Sequence, residues 1–278
     1  MFLAALLVVL GVTAARLASK LAFGSGASEK PCGYATEEKT IWLSTRHSSR
    51  IPALHIARGH PLTLLVSHSN SEDLGDVRSY WIEKSEELAV NVFAYEYSGY
   101  GHATGKPSET HICADATAAL AYATEKLSLK PQRDIVLYGK SIGSCPTLHL
   151  ARRHEVRGVI LVSGLASGAR TLSPTYGGLV DGLQMLPFNN LARLKKVRST
   201  PVQLIHGTLD EVVSIEDARC MHAACKEHHP LDPCWIDGGA HNGIETARFG
   251  EHTAAVKAFL QHLLANSRHD CVSPAPAC

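Results

Sequence analysis

One pentapeptide constrains the fold of this chain more than any other feature of the sequence. Gly139-Lys140-Ser141-Ile142-Gly143 directly follows the apolar strand pattern of residues 134–138 and precedes a helical stretch. A turn this tight between a strand and a helix brings flanking side chains into collision, so glycine is needed on both sides of the serine. The turn raises the serine oxygen above the sheet edge, beside the free amides at the helix amino terminus. The sequence therefore predicts a nucleophile at Ser141, with Gly139 and Gly143 shaping its turn.

A serine hydroxyl is a weak nucleophile and needs a basic side chain that a carboxylate orients. Asp210 follows the strand pattern of 202–205, and a glycine-rich loop that presents His241 follows the strand pattern of 233–236. Both lie just past strand ends, at the sheet edge where the serine is expected. The order serine, acid, histidine is that of the α/β-hydrolase fold. We predict Asp210 as the acid and His241 as the base.

Other side chains near these two are weaker candidates. Glu211 and Asp237 are carboxylates close to the same strand ends, and either could replace Asp210 as the orienting acid. His206 ends the strand pattern before Asp210, and we expect it to pack beneath the loop.

Two backbone amides should hold the negative oxygen that forms during the reaction. In this fold one amide directly follows the nucleophile, and the other belongs to the loop after the third strand. The first is the amide of Ile142. The second lies in the loop 67–71, where we choose the amide of Asn70. Asp73, farther along the same loop, is predicted to cap a helix.

Short β-rich segments alternate with longer helical patterns after residue 40, which predicts a mostly parallel sheet with helices on both faces. The first two strands are expected to form an antiparallel hairpin at one edge. The predicted strands are Thr40–Ser44, Ala53–Ala57, Thr63–Ser67, Val92–Tyr97, Ile135–Tyr138, Val159–Val162, Val202–Ile205 and Pro233–Ile236,. The predicted helices are Asp76–Leu88, Glu109–Leu127, Gly143–Arg153, Ser214–Lys226 and Glu245–Leu264,.

The chain is expected to fold as one hydrolase domain over residues 35–266. Residues 1–34 form an apolar segment and linker, and residues 267–278 form a loose tail. Between the sixth and seventh strands, the apolar run Leu179–Phe188 predicts a short helix and loop over the site. This small lid would leave the pocket mouth accessible to bulky substrates.

The amino terminus carries the apolar run of residues 2–15, which predicts a helix. Fourteen helical residues span about 21 Å, short of the ~30 Å bilayer core unless the helix continues to Phe23. Three interpretations remain open: a membrane anchor, a cleaved signal peptide with its site near residues 12–14, and a peripheral apolar helix. Basic residues lie only on the carboxyl side of the run, so an anchor would leave the domain in the cytosol. A signal peptide would direct it to the secretory pathway.

Composition excludes few partners but favours some over others. The formal charge is +1, so the chain lacks the basic field that binds nucleic acid, and no nucleic-acid partner is expected,. The eight cysteines contain no CxxC pair,. Cys220 and Cys225 lie near His222, His228 and His229, but this stretch also fits an ordinary helix. We expect no metal and no cofactor.

Five segments together resemble one branch of the α/β-hydrolases, the alpha/beta hydrolase domain-containing protein 17 family. The resemblance covers roughly residues 35–265. It implies a serine hydrolase with the triad predicted above, acting on palmitate attached to protein cysteines. The segments are Ser67–Gly75 (resembling SHGNAxDLG), Tyr97–Gly101 with Gly105, Pro107 and Glu109 (YSGYGxSxGxPSE), Leu137–Gly143 (LYGQSIG), His206–Val213 (HGTEDEVI) and Gly239–Glu245 (GAGHNDIE).

The chain departs from the family pattern at three places. Ser69 replaces a glycine in the oxyanion loop, Glu96 replaces an aspartate, and an apolar segment replaces the amino-terminal cysteine cluster that is lipidated in the family. The implied function is hydrolysis of acyl (thio)esters, with an S-acylated protein or a lipid ester as substrate. Two alternatives stay open: a small-molecule esterase or monoacylglycerol lipase with the same triad, and a catalytically weak binding or scaffold protein.

Overall fold

A computed structural model describes residue 23 and residues 40–70, 72–172, 187–197, 199–225, 231–246 and 250–266. In these residues eight strands form one sheet in the order β1-β2-β4-β3-β5-β6-β7-β8. The strands are β1 Ile41–Ser44, β2 Arg50–Ile56, β3 Thr63–Ser67, β4 Asn91–Tyr95, β5 Ile135–Lys140, β6 Gly158–Val162, β7 Val202–Gly207 and β8 Cys234–Ile236. The pairs β1–β2 and β2–β4 are antiparallel, and the remaining pairs are parallel.

Helices cover both faces of this sheet. They are α1 Leu74–Glu87, α2 Glu109–Glu125, α3 Pro131–Asp134, α4 Ser144–Ala151, α5 Gly168–Leu172, α6 Asn190–Leu194, α7 Ile215–Cys225 and α8 Gly250–Asn266, and a 3₁₀ turn at Ser141–Gly143 joins β5 to α4. The α/β-hydrolase fold predicted from the sequence, with its mostly parallel sheet and an antiparallel pair at one edge, is confirmed.

Alternation along the central strands builds two separate cores. In β3, Leu65 faces the core that contains α2 and α4, whereas its neighbour Leu64 faces the core that contains α1 and α8. Both leucines are at most 1% exposed, and burying such a side chain stabilises a fold by about 1.5–3 kcal/mol,. Because successive side chains point to opposite faces, a strand covered on both faces is apolar throughout. This explains why the strands were readable in the sequence.

Two elements, strand β2 and helix α8, begin at residues other than those predicted. Strand β2 begins at Arg50, three residues before the predicted start, and includes Pro52, whose carbonyl accepts from the amide of Glu96. Helix α8 begins at Gly250 rather than Glu245. Glu245 lies in the turn before this helix, and its side chain accepts a hydrogen bond from the hydroxyl of Tyr138.

Asp73 caps helix α1, as predicted. Its Oδ1 accepts from the amide of Asp76, and the Asp76 side chain accepts in return from the amide of Asp73. Such a reciprocal capping box satisfies two amides of the first turn and fixes the point where the oxyanion loop enters the helix.

Several predictions concern residues outside the described part of the chain. These are the apolar run of 2–15, the linker, most of the predicted lid (173–186) and the tail. The boundaries 1–34, 35–266 and 267–278 therefore remain predictions. No helix in the described segments has the length and apolar character needed to cross a bilayer.

Candidate active site

The predicted nucleophile lies at the carboxyl end of β5, in the middle of the sheet. Ser67, the last residue of β3, pairs with Gly139 of β5, so the loop after β3 leaves the sheet beside the turn that follows β5. Ser141 itself has φ = +53°. This left-handed conformation costs a residue with a side chain about 1–2 kcal/mol. The strain is that of the tight strand-to-helix turn predicted from the sequence.

Both glycines of the pentapeptide stand where a side chain would collide. A Cβ at Gly143 would lie 2.1 Å from the carbonyl oxygen of Ser67 and 2.8 Å from that of His68. At Gly139 it would lie 2.4 Å from Oγ1 of Thr147. The contact at Gly143 is with backbone, which cannot rotate away. The missing side chain therefore lets the turn and the oxyanion loop touch.

We expect Gly143→Ala to lower the free energy of unfolding by about 1–3 kcal/mol, because the methyl group must push the oxyanion loop away from the turn. Denaturant unfolding monitored by circular dichroism measures this change. Gly250→Ala is the matched control, since no described residue lies within 4 Å of a Cβ at that helix start. The free energy of unfolding of this variant should be unchanged or slightly higher. Equal unfolding midpoints for Gly143→Ala and wild type would contradict the close approach.

Ser141, His241 and Asp210 form one chain of hydrogen bonds. The Ser141 hydroxyl lies 3.0 Å from Nε2 of His241, and Nδ1 of the same ring lies 2.8 Å and 3.0 Å from the Asp210 oxygens. A carboxylate can only accept, so Nδ1 carries the ring proton and Nε2 offers its lone pair to the serine. Ser141 and His241 are 7% and 4% exposed. The structure thus brings together the three residues that the sequence singled out.

Asp210 is held as an ionised carboxylate. Burial alone would raise the pKa of Asp210, but hydrogen bonds from His206 and His241 hold that pKa well below its usual range,. Its Oδ1 also accepts from the amides of Val212 (3.0 Å) and Val213 (2.7 Å). His206, expected to pack beneath the loop, is buried there and lies 3.2 Å from Oδ2. Its role in fixing the acid was missed.

The loops that carry the acid and the base are fastened to each other. A Cβ at Gly207 would lie 2.2 Å from the carbonyl oxygen of Gly239, so the two loops meet backbone to backbone. The same carbonyl accepts from the amide of Leu209 at 2.9 Å. Glu211, a weaker candidate for the acid, instead accepts from the amide of His241 at 3.1 Å. These contacts hold the imidazole in place without touching its ring.

The two residues predicted to supply oxyanion amides lie in the turn that contains the nucleophile and in the loop after β3. Ile142 lies in the first turn after the serine, where helix amides have no partner within the helix,. Asn70 lies in the loop after β3. Ser69, which stands where the family pattern has glycine, has a negative φ, so no glycine-specific torsion is needed there. The hydroxyl of Tyr97 donates to the His68 carbonyl at 2.7 Å and braces the loop.

His68 and Glu96 form a buried charged pair beneath this loop. Nδ1 of His68 lies 2.8 Å from the Ser69 carbonyl oxygen, and Nε2 lies 3.0 Å from Oε1 of Glu96. Because both partners accept, the ring carries two protons and a positive charge. Burial would lower the pKa of His68, but the Glu96 carboxylate raises it overall. Burial would raise the pKa of Glu96, but His68 and the amides of Leu74 and Tyr97 lower it overall.

This pair predicts a pH-dependent stability. The folded pKa of His68 lies above its ordinary value of 6.5, so its contribution is complete below pH 6.5 and is lost as pH rises through the folded pKa,. His68→Gln should cost about 3–5 kcal/mol near pH 6, because Glu96 then remains buried without its cation. The cost should shrink toward pH 9. Denaturant unfolding of both proteins from pH 6 to 9 measures it, and a cost independent of pH would contradict a charged imidazole.

Phe23 packs against the hydrolase domain near the loop that contains Asn70. Its ring packs on Phe188 and Tyr100, with centroids 5.7 Å and 6.5 Å apart. The hydroxyl of Tyr100 donates to Oδ1 of Asn70 at 2.5 Å. Phe23 is 6% exposed. Phe23 therefore lies against Tyr100, whose hydroxyl is bonded to the residue that carries the second predicted oxyanion amide.

Sequence reasoning missed an ion-pair cluster next to the nucleophile. Nζ of Lys140, the second residue of the pentapeptide, lies 2.6 Å from Oε1 of Glu72 and 2.5 Å from Oε2 of Glu245. Burial would lower the pKa of Lys140, but the two carboxylates raise it well above its usual range. The only signal in the sequence was a lysine inside a motif expected to be buried. Its partners lie 68 and 105 positions away and could not be identified.

The described residues contain no group of three or more histidine, cysteine or acidic side chains arranged to hold a metal ion. Cys220 and Cys225 lie on helix α7, as the alternative interpretation of that stretch predicted. Sγ of Cys225 donates to the carbonyl of Met221 within the same helix, and His228 and His229 fall outside the described residues.

Comparison with known proteins gives close relatives by sequence. The chain is 37% identical to alpha/beta hydrolase domain-containing protein 17B of Xenopus tropicalis over 243 residues, which is 84% of this chain and 80% of that protein. It is 39% identical to alpha/beta hydrolase domain-containing protein 17C of Homo sapiens over 209 residues, or 74% of this chain and 60% of that protein. No protein-family profile matches the chain.

Solved structures give the same fold at lower identity. An esterase of Pyrococcus furiosus superposes with a TM-score of 0.66 at 18% identity, covering 85% of this chain and 97% of the esterase. The esterase Est1E of Butyrivibrio proteoclasticus superposes with a TM-score of 0.60 at 18% identity, covering 82% and 100%. At this identity the likeness concerns the fold alone.

Proposed function

This chain belongs to the alpha/beta hydrolase domain-containing protein 17 family and is a serine hydrolase, and we propose that it cleaves acyl thioesters on protein cysteines. One observation carries the proposed chemistry: the hydroxyl of Ser141, the imidazole of His241 and the carboxylate of Asp210 lie within hydrogen-bond distance in series at one edge of a sheet. That series is what acyl transfer to serine requires.

The first half of the proposed reaction acylates the enzyme. The oxygen of Ser141 attacks the acyl carbonyl carbon while Nε2 of His241 takes the hydroxyl proton. The carbonyl oxygen becomes an oxyanion, which the amides of Ile142 and Asn70 stabilise. When the tetrahedral intermediate collapses, the bond to sulfur breaks and the protonated imidazole returns its proton to the departing thiolate. Asp210 stabilises the imidazolium throughout, because its carboxylate is ionised and buried,.

The second half releases the fatty acid. A water molecule takes the place of the thiol, and His241 removes its proton as the water oxygen attacks the ester of Ser141. A second oxyanion forms at the same two amides. Its collapse returns the proton to the oxygen of Ser141 and frees the acid. No metal or redox step enters this sequence, since the attacking hydroxyl, the base and the amides all come from the chain.

The acyl-protein substrate is supported by the family resemblance and by the position of Phe23. A long acyl chain is held at a membrane, so an enzyme that removes it must act beside the bilayer. We propose that the apolar segment of residues 2–23 associates the protein with the membrane and leaves the catalytic domain on the cytoplasmic side. Phe23 packs on Tyr100, whose hydroxyl is bonded to Asn70, and this supports an active site close to the point of membrane attachment.

A competition experiment tests the substrate. The full chain is offered an S-palmitoylated peptide, a short-chain ester and a monoacylglycerol together, and each product is quantified. We expect kcat/KM for the peptide to exceed the others by about tenfold or more, the discrimination available to a fitted apolar site. Preference for the monoacylglycerol would assign a lipase instead. Reaction with a fluorophosphonate without turnover of any substrate would assign a binding protein.

Cell fractionation tests the membrane association. The full chain should sediment with membranes, and a chain that lacks residues 1–22, and so keeps the buried Phe23, should move to the soluble fraction while it still reacts with a fluorophosphonate. Equal distribution of the two chains would refute attachment through this segment.

A further inference from the structure

The direction of the Asn70 amide is fixed by the peptide group to which it belongs. A trans peptide is planar, so the N–H of Asn70 points opposite to the carbonyl of Ser69,. That carbonyl accepts from Nδ1 of His68 at 2.8 Å and from the amide of Glu72 at 3.4 Å. The contacts that hold His68 and Glu72 in place therefore also fix the direction of the Asn70 N–H.

Glu72 holds the loop through both its backbone and its side chain. While its amide donates to the Ser69 carbonyl, its Oε2 accepts from the Ser69 amide at 2.9 Å. The other carboxylate oxygen, Oε1, lies 2.6 Å from Nζ of Lys140. Both oxygens are thus engaged, and the carboxylate cannot turn without breaking a contact. The ammonium of Lys140 therefore anchors the residue that closes the loop around Ser69.

Lys140 is itself anchored on its other side. Its Nζ lies 2.5 Å from Oε2 of Glu245, whose remaining oxygen accepts from the hydroxyl of Tyr138 at 2.5 Å. The lysine side chain is only 9% exposed, so its charges are poorly screened by solvent,. Because Lys140 is adjacent to Ser141, a rigid link runs from the nucleophile's own strand through Glu72 to the Ser69–Asn70 peptide.

We propose that Lys140 is a positioning residue: through its ion pair with Glu72 it aims the Asn70 amide at the oxyanion formed on Ser141. This inference rests on the proposed function, because it assumes an oxyanion at that place. It assigns a positioning role to a residue whose ammonium group pairs with Glu72 and Glu245, which lie outside the triad. The link acts on the transition state, so its loss should slow bond formation and leave the initial binding of substrate unchanged.

The test follows the reaction of Ser141 with a fluorophosphonate probe in the full chain. For Lys140→Gln we expect kinact to fall by about tenfold to hundredfold, part of the 10²–10³-fold that a whole oxyanion donor contributes. The KI of the probe should change less than about threefold, as for loss of transition-state contacts alone. An unchanged kinact in folded Lys140→Gln would overturn the inference.

A matched lysine separates positioning from general stability. Lys84 is as buried as Lys140 and forms an ion pair of 2.5 Å with Glu87, but it lies on α1 away from the loop. Lys84→Gln should lower the melting temperature without changing kinact. An equal loss of kinact in Lys84→Gln would mean that any buried lysine matters, and the inference would fall.

A double-mutant cycle identifies the path. If Lys140 acts through Glu72, the variant that combines Lys140→Gln with Glu72→Gln should react no more slowly than the slower single variant. If the fold-losses in kinact of the two single variants multiply in the double variant, the two residues act independently and the proposal is overturned. A wild-type chain that fails to react, or a Ser141→Ala chain that reacts equally well, would instead refute the proposed function itself.

Discussion

Ser141→Ala is expected to abolish covalent labelling by a fluorophosphonate and to lower ester turnover by about 10⁴-fold or more. The reason is the single hydroxyl that lies 3.0 Å from Nε2 of His241, which no other side chain replaces in that hydrogen bond. Alanine meets the left-handed backbone at φ = +53° no worse than serine does. The fold should therefore persist, and the loss should lie in the chemistry.

The experiment compares gel-resolved labelling and steady-state turnover of the variant with wild type. Ser44→Ala is a matched control, because Ser44 is an exposed serine on the edge strand β1 and its loss should leave both readouts unchanged. Circular dichroism and the melting temperature show whether each variant is folded. Labelling that survives in folded Ser141→Ala would assign the nucleophile to another residue and remove the basis of the mechanism.

The sequence predicted the triad because each member is tied to a local pattern. Ser141 lies between two glycines that only a tight turn requires, and Asp210 and His241 follow apolar runs that read as strands. In a parallel sheet the carboxyl ends of strands meet at one edge, so local patterns were enough to predict a meeting in space. The observed distances of 2.8 Å and 3.0 Å agree with that expectation.

The supports of the triad could not be predicted in the same way. His206 was expected only to fill space, and its contact with Asp210 depends on a turn that brings the chain back within four residues. The cluster of Lys140, Glu72 and Glu245 joins the end of strand β5 to two loops that are distant from it in sequence. Buried ion pairs leave no periodic signal, because a charged residue in a sequence looks the same whether it lies in solvent or in a cluster.

The strand order shows a similar limit. Apolar runs predicted the positions of the strands along the chain. They did not predict that β4, which follows β3 in sequence, lies between β2 and β3 in the sheet. This crossover places the end of β3 next to β5, where Ser67 pairs with Gly139. Local sequence patterns do not contain this strand order, which is a property of the whole fold. The oxyanion loop reaches the nucleophile because of it.

Asp210→Asn should lower kcat by about 10³–10⁴-fold with little change in KM, and the surrounding hydrogen bonds give the reason. Oδ1 of Asp210 is held by the amides of Val212 and Val213, which both donate. An asparagine must keep its carbonyl oxygen there, so its NH₂ group takes the place of Oδ2 and faces Nδ1 of His241. The ring must then accept at Nδ1 and carry its proton on Nε2, where it cannot serve as a base.

Steady-state kinetics on one ester, together with the proton spectrum of the imidazole, check this expectation. The wild-type Nδ1 proton, 2.8 Å from a buried carboxylate oxygen, should give a strongly downfield resonance that the variant lacks. Asp237→Asn is the control, and its kcat should be unchanged. This exposed carboxylate also lies near the loop that carries His241, but its hydrogen bond is with the hydroxyl of Thr208, at 3.1 Å. A folded Asp210→Asn protein with kcat within about tenfold of wild type would show that another group orients the base, since loss of this carboxylate alone should cost far more.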